Sequence, residues 1–113
     1  MGCAGQEDGD VGAIVSRIGA LFERAHTGPA PTASEIHEAL ADGYACLVSL
    51  EADRAQAARC SAELFASVGQ SRSAARELRT LNARLLARDL DIARLRSVLR
   101  ELRAGATARE VAG

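Results

Sequence analysis

The chain has 113 residues, 48% of them apolar, and a formal net charge of −1. That is the length of one domain, but two Phe and one Tyr among so much alanine leave a thin core in which each contact buries little area. The neutral balance argues against a dedicated binder of nucleic acid or of an anionic membrane, which carries a basic excess.

The first ten residues are polar and glycine-rich and read as a flexible tail over 1–10, with Asp10 placed to cap the first helix. Met1-Gly2-Cys3 resembles an acylation start, but Gln6 stands where that signal has Ser or Thr. No signal-peptide pattern opens the chain, and no run of about eighteen apolar residues marks a membrane span. Val11, Ile14, Val15, Ile18, Leu21, Phe22 and Ala25 recur at helical spacing, which predicts that first helix over 10–26. It stops at Thr27-Gly28-Pro29-Ala30-Pro31, where glycine ends the helix and the prolines hold an extended connector.

Thr32 or Ser34 offers an N-cap, Glu35 and Glu38 populate the first turn, and Ile36 opens a long apolar stripe, so a second helix is expected over 34–68. Gly69-Gln70-Ser71 breaks it, and a third helix is expected over 72–103. In that third helix Ala74, Leu78, Leu81, Leu85, Arg88, Ile92, Leu95, Leu99 and Leu102 recur at alternating spacings of four and three, a heptad seam. Counted back from the break, Val68, Leu64, Ser61, Ala57, Arg54, Leu50, Leu47, Gly43 and Leu40 carry the mirrored spacing. Two seams mirrored about a turn predict an all-α fold: a long antiparallel helical hairpin, coiled-coil-like, with a short N-terminal third helix. The layers run from Val68 opposite Ala74 to Leu40 opposite Leu102, with Leu64 near Leu78, Leu50 near Ile92 and Leu47 near Leu95. The domain spans 11–104, and 105–113, beyond the glycine at position 105, reads as a second flexible tail.

The layer map places Arg54 opposite Arg88, flanked by Glu51, Asp53, Asp89 and Asp91. Unpaired charge in a low-dielectric seam costs several kcal/mol, so both arginines must find carboxylates or snorkel to water. One outcome is a polar layer that fixes the register of the hairpin. The other is an anion or nucleotide pocket, since paired guanidinium groups clamp phosphate, and that would suit a small regulatory, anti-sigma-like protein.

Tyr44, Val48, Phe65, Leu86 and Leu90 lie off the facing seams, and a first helix half as long as the others cannot cover them all. They form the expected face for self-association, most simply as a homodimer, or for another helical protein segment. No catalytic constellation is present. Serines lack a neighbouring base, the glycines form no phosphate loop, and Cys3, Cys46 and Cys60 have no zinc spacing and suit a reducing cytoplasm. His26 and His37 flank the connector near Glu35 and Glu38 but match no metal motif. The expectation is no enzyme, no cofactor, no metal and a cytoplasmic location.

The run Ala39-Leu-Ala-Asp-Gly43, with Leu47-Val-Ser-Leu-Glu51-Ala-Asp-Arg54 after it, resembles the A-x-x-G-x-x-x-L-x-x-L-E-x-x-R stretch of FliT-type flagellar export chaperones. Leu85-Leu-Ala-Arg-Asp89-Leu-Asp-Ile92 is similar to the L-x-x-D-x-x-I pattern of their second helix. The resemblance implies a small cytoplasmic helical protein that holds a flagellar subunit for export through helix–groove contacts.

Overall fold

The computed structural model of the chain describes residues 6–112, with the side chains of 11–69 and 71–107. Three α-helices and one short turn make up this length: α1, Gln6–Thr27; α2, Ala33–Ser67; a 3-10 turn over Val68–Gln70; and α3, Arg72–Ala112. The fold is all-α, with no strand among the described residues. It is a rod of 63 × 21 × 19 Å in which α2 and α3 form an antiparallel hairpin and α1 folds back along part of it.

The hairpin turn is made where glycine and serine interrupt the apolar stripe. Ser71 is extended at φ −155°, ψ 132°, which reverses the chain, and its Oγ accepts from the backbone N–H of Ala74 at 3.3 Å to start α3. All nine predicted seam residues of α3 turn inward. Ala74, Arg88, Ile92, Leu95, Leu99 and Leu102 are buried, and Leu78, Leu81 and Leu85 are half-buried. The register is shown most directly at Gly43, where a Cβ would stand 2.4 Å from Leu99 Cδ2. Gly43 and Leu99 are partners in the layer map, and only a residue without a side chain lets the two helices come this close.

α1 divides the hairpin into two unlike halves. Val11, Ile18 and Leu21 join Ile36, Ala39, Leu50, Ile92, Leu95, Leu99 and Leu102 in one buried cluster, so the half bearing the chain's connector has a three-helix core. Among the described residues the half bearing the hairpin turn has two helices; Ala57, Ala74 and Arg88 are buried there, while Cys60, Leu64, Leu81 and Leu85 stay half-exposed.

The helices run further than the sequence suggests. α1 is 22 residues long and begins at Gln6, so residues 6–10 of the expected tail are helical, and 1–5 lie outside the described residues. α3 passes straight through Gly105 to Ala112, which removes the expected tail from 105 to 112; residue 113 lies outside the described residues. The physical reason is tertiary: Ala106 packs against the core cluster, and Gly105 and Ala106 border a small cavity with Leu21, Phe22, Pro31 and Ile36. Packing there outweighs the roughly 1 kcal/mol that a glycine costs inside a helix.

The α1–α2 corner is fixed by one carboxylate used three times. Arg24 Nη1 and Nη2 donate to Glu35 Oε2 and Oε1 at 2.6 and 3.1 Å. Glu35 Oε1 also accepts from the Thr32 backbone N–H at 2.8 Å, and Thr32 Oγ1 accepts from the Glu35 N–H, closing a capping box. These bonds, Arg24's first and Thr32's next, hold the Glu35 carboxyl at about 2. Because the folded value lies below the ordinary one, the corner's contribution is complete above pH about 4.5 and is lost as pH falls through about 2. Thermal melts across that window should show an acid limb that Glu35→Gln flattens. An identical limb in the variant would contradict the assignment.

Candidate functional site

Among the described residues the arginine layer holds two unequal ion pairs. Arg54 Nε donates to Asp89 Oδ1 at 2.5 Å and Nη2 reaches Oδ2 at 3.5 Å, linking α2 to α3 at an exposed edge. This bond, with the attraction behind it, raises the Arg54 guanidinium further above its ordinary value. Arg88 is buried, at 6% exposure, and its Nη1 reaches Asp91 Oδ2 at 3.4 Å one turn along the same helix. Glu51 instead accepts from Arg96 Nη2, a second cross-hairpin bridge. Asp53 lies beside Arg88 in a cavity of about 70 Å³, and its Oδ2 is enclosed without a hydrogen-bond partner among the described residues. Five of the six residues of the expected layer therefore pair with charges of the chain itself, and the sixth brings another negative charge toward Arg88.

That arrangement is suited to fixing register and ill-suited to holding an anion, because a phosphate near Arg88 would meet Asp53 and Asp91. Replacing both Arg54 and Arg88 with Leu should lower thermal stability, because it leaves Asp91 and the enclosed Asp53 without the buried guanidinium that faces them, and removing one partner of a buried pair leaves its charge uncompensated. Addition of phosphate or nucleotide should raise the melting temperature of neither form. A ligand-induced rise in the parent chain that the double variant loses would restore the anion reading.

The five residues of the expected partner face all reach solvent: Tyr44 is 38% exposed, Val48 66%, Phe65 69%, Leu86 67% and Leu90 72%. Their direction is set by the seam. α1 lies against the side of the hairpin marked by Asp42, Cys46 and Ser49, each one residue before a seam position. Tyr44, Val48, Phe65 and Leu86 each come one residue after a seam position and so point to the opposite side, while Leu90, two past Arg88, points outward from α3. The Arg54–Asp89 and Arg96–Glu51 bridges and a Ser61–Asn82 hydrogen bond of 3.0 Å lie on that same opposite side. Tyr44, Val48, Phe65 and Leu86 thus make an exposed side of separated large apolar side chains with paired charges between them, and Leu90 lies next to Leu86 on the outer edge of α3.

His26 and His37 are exposed, Glu35 is taken by Arg24 and Thr32, and among the described residues no group of three His, Cys, Asp or Glu side chains is placed to hold a metal. No described helix is long and apolar enough to cross a membrane. The residues of the motif stretch from Ala39 to Arg54 serve the hairpin: Ala39, Gly43 and Leu50 are buried, Leu47 packs on the core, and Glu51 and Arg54 bridge to α3. Sequence reasoning missed the Glu51–Arg96 and Arg17–Asp42 bridges, the latter 2.9 Å long between α1 and α2, because each joins residues outside the seams. No family model matches the chain, and neither does any curated protein or solved structure.

Proposed function

We propose that this chain is a non-enzymatic helical protein–protein interaction module, a small cytoplasmic adaptor or chaperone that self-associates and lays an apolar helix face against a helical segment of another protein. The observation that carries the reading is the exposure of Tyr44, Val48, Phe65 and Leu86 on one side of the hairpin, with Leu90 on the adjoining outer edge of α3. Residues at a spacing of one helical turn on a stiff rod are what helix-on-helix recognition uses, with apolar anchors for affinity and intervening charges for register. The FliT-type resemblance gives this module a specific form, a chaperone that shields a helical export substrate.

The test compares the parent chain with a Val48→Ser, Phe65→Ser, Leu86→Ser variant in co-purification from the native cell. All three positions are exposed, so helicity and melting should change little. A protein retained by the parent and lost by the variant is the expected result. The same retained proteins with both chains would remove this face as the contact surface.

A further inference from the structure

Among the described residues, α1 covers only half of the side of the hairpin on which it lies. Beyond the start of α1 the same side continues as an open groove of about 700 Å³ between α2 and α3. Cys60, Glu63 and Ser67 on one rim repeat at heptad spacing from Asp42, Cys46 and Ser49, the positions against which α1 sits, so this groove is the continuation of α1's own seat. Its floor is apolar, made by Leu64 and Leu81, both half-exposed. Its α3 rim carries Glu77 and Arg84, two turns apart on one stripe, and neither makes an ion pair among the described residues. Elsewhere the bridges between helices pair such charges, at Arg17–Asp42, Arg24–Glu35, Arg54–Asp89 and Arg96–Glu51.

We infer that this groove is the self-association surface, and that its occupant is the same half of a second copy packed antiparallel about a two-fold axis at the level of Cys60 and Leu81. Three observations select that occupant. An apolar seat continuous with one already filled by a helix calls for further helix, and the second copy's open half supplies two. α1 stands proud of this side over the other half, so two copies can bring their open halves together only when they point in opposite directions. A parallel pair would set α1 against α1. The antiparallel two-fold then places Glu77 of each copy against the partner's Arg84, twice, because the two residues straddle Leu81 symmetrically on one stripe.

The fit extends to length. α1 runs antiparallel to α2 with Arg17 at Asp42, so its start at Gln6 lies roughly level with Asp53 at 1.5 Å per residue. From there to the turn at Val68 the groove is roughly 22 Å long by the same rise, and the partner's half-hairpin occupies the same length. Each copy's turn thereby meets the start of the other's α1. The product is a four-helix centre with a three-helix core at either end. This rests on the self-association proposed above and assigns it to the groove, leaving the face of Val48 and Leu86 to other proteins.

Sedimentation velocity of the full chain over a concentration series, together with charge reversals, tests it. The parent should be a dimer at micromolar concentration. Glu77→Arg or Arg84→Glu alone should weaken self-association by about tenfold or more, since each creates two like-charge contacts, and the double reversal should restore it. A short bismaleimide should join the two chains of the parent dimer through Cys60, located by peptide mapping. A dimer untouched by either reversal but lost in the Val48→Ser, Phe65→Ser, Leu86→Ser variant would overturn the groove assignment while keeping self-association. A monomer at all concentrations would overturn both, and a groove that binds only a different protein, sensitive to Arg84→Glu, would reassign the occupant.

Discussion

Leu95→Ala is expected to lower the stability of the chain by about 2–5 kcal/mol, the usual cost of truncating a fully buried leucine. Leu95 is at 0% exposure, in the heptad seam of α3, and belongs to the one cluster to which all three helices contribute. The loss therefore weakens α1 docking and hairpin closure together, and against a typical domain stability of about 5–15 kcal/mol it is a large fraction. Urea denaturation at fixed protein concentration measures it, with Leu86→Ala, 67% exposed, as the comparison that should move by about 0.5 kcal/mol or less. Equal effects at the two positions would mean that the seam is assigned to the wrong face.

Gly43→Val should cost about 1–3 kcal/mol or more through overpacking. In an exposed helix interior, replacing glycine by a residue with a side chain is favourable or neutral, because glycine loses the most backbone freedom on folding. Gly43 reverses that sign, since its Cβ position already overlaps Leu99, which is itself at 1% exposure and has little room to turn away. Gly12, on the exposed side of α1 with nothing within 4 Å, supplies the contrast: Gly12→Ala should stabilise. Thermal melts of the two variants should shift in opposite directions. A shift in the same direction would remove the close approach of α2 and α3 at this layer.

The parts of the fold that were legible in the sequence are those that repeat over many turns. Nine seam positions in each long helix, mirrored about Gly69-Gln70-Ser71, specify both the pairing and its register, and the structure places Gly43 on Leu99 accordingly. The five large apolar residues of the expected partner face are exposed, because a surface position two helices cannot reach is visible in the same periodicity, while Val98, also off the seam, packs on the core where α1 reaches it. What the pattern did not carry is anything decided by one local contact. Gly105 reads as a stop until Ala106 is seen against the core, and Gln6 reads as tail until α1 is seen as a helix of 22 residues. Arg54 and Arg88 look equivalent in a layer map, yet one lies at an exposed edge and the other is buried, since periodicity assigns levels and leaves side-chain direction to packing. The open groove was hidden for a related reason: the described α1, from Gln6, reaches only partway along the hairpin.

The antiparallel closure of α2 on α3 is the feature from which the inward seam, the uncovered face and the open groove all derive. A methyl-selective nuclear Overhauser experiment on chain labelled at leucine methyls tests it at one contact. Strong cross-peaks between the Leu99 methyls and the α-protons of Gly43 are predicted, in a sample diluted with perdeuterated chain so that only contacts within one molecule survive. Absence of those peaks, with the Leu99 methyls instead meeting residues beside Leu64 or Val68, would mean that the helices do not close in this register.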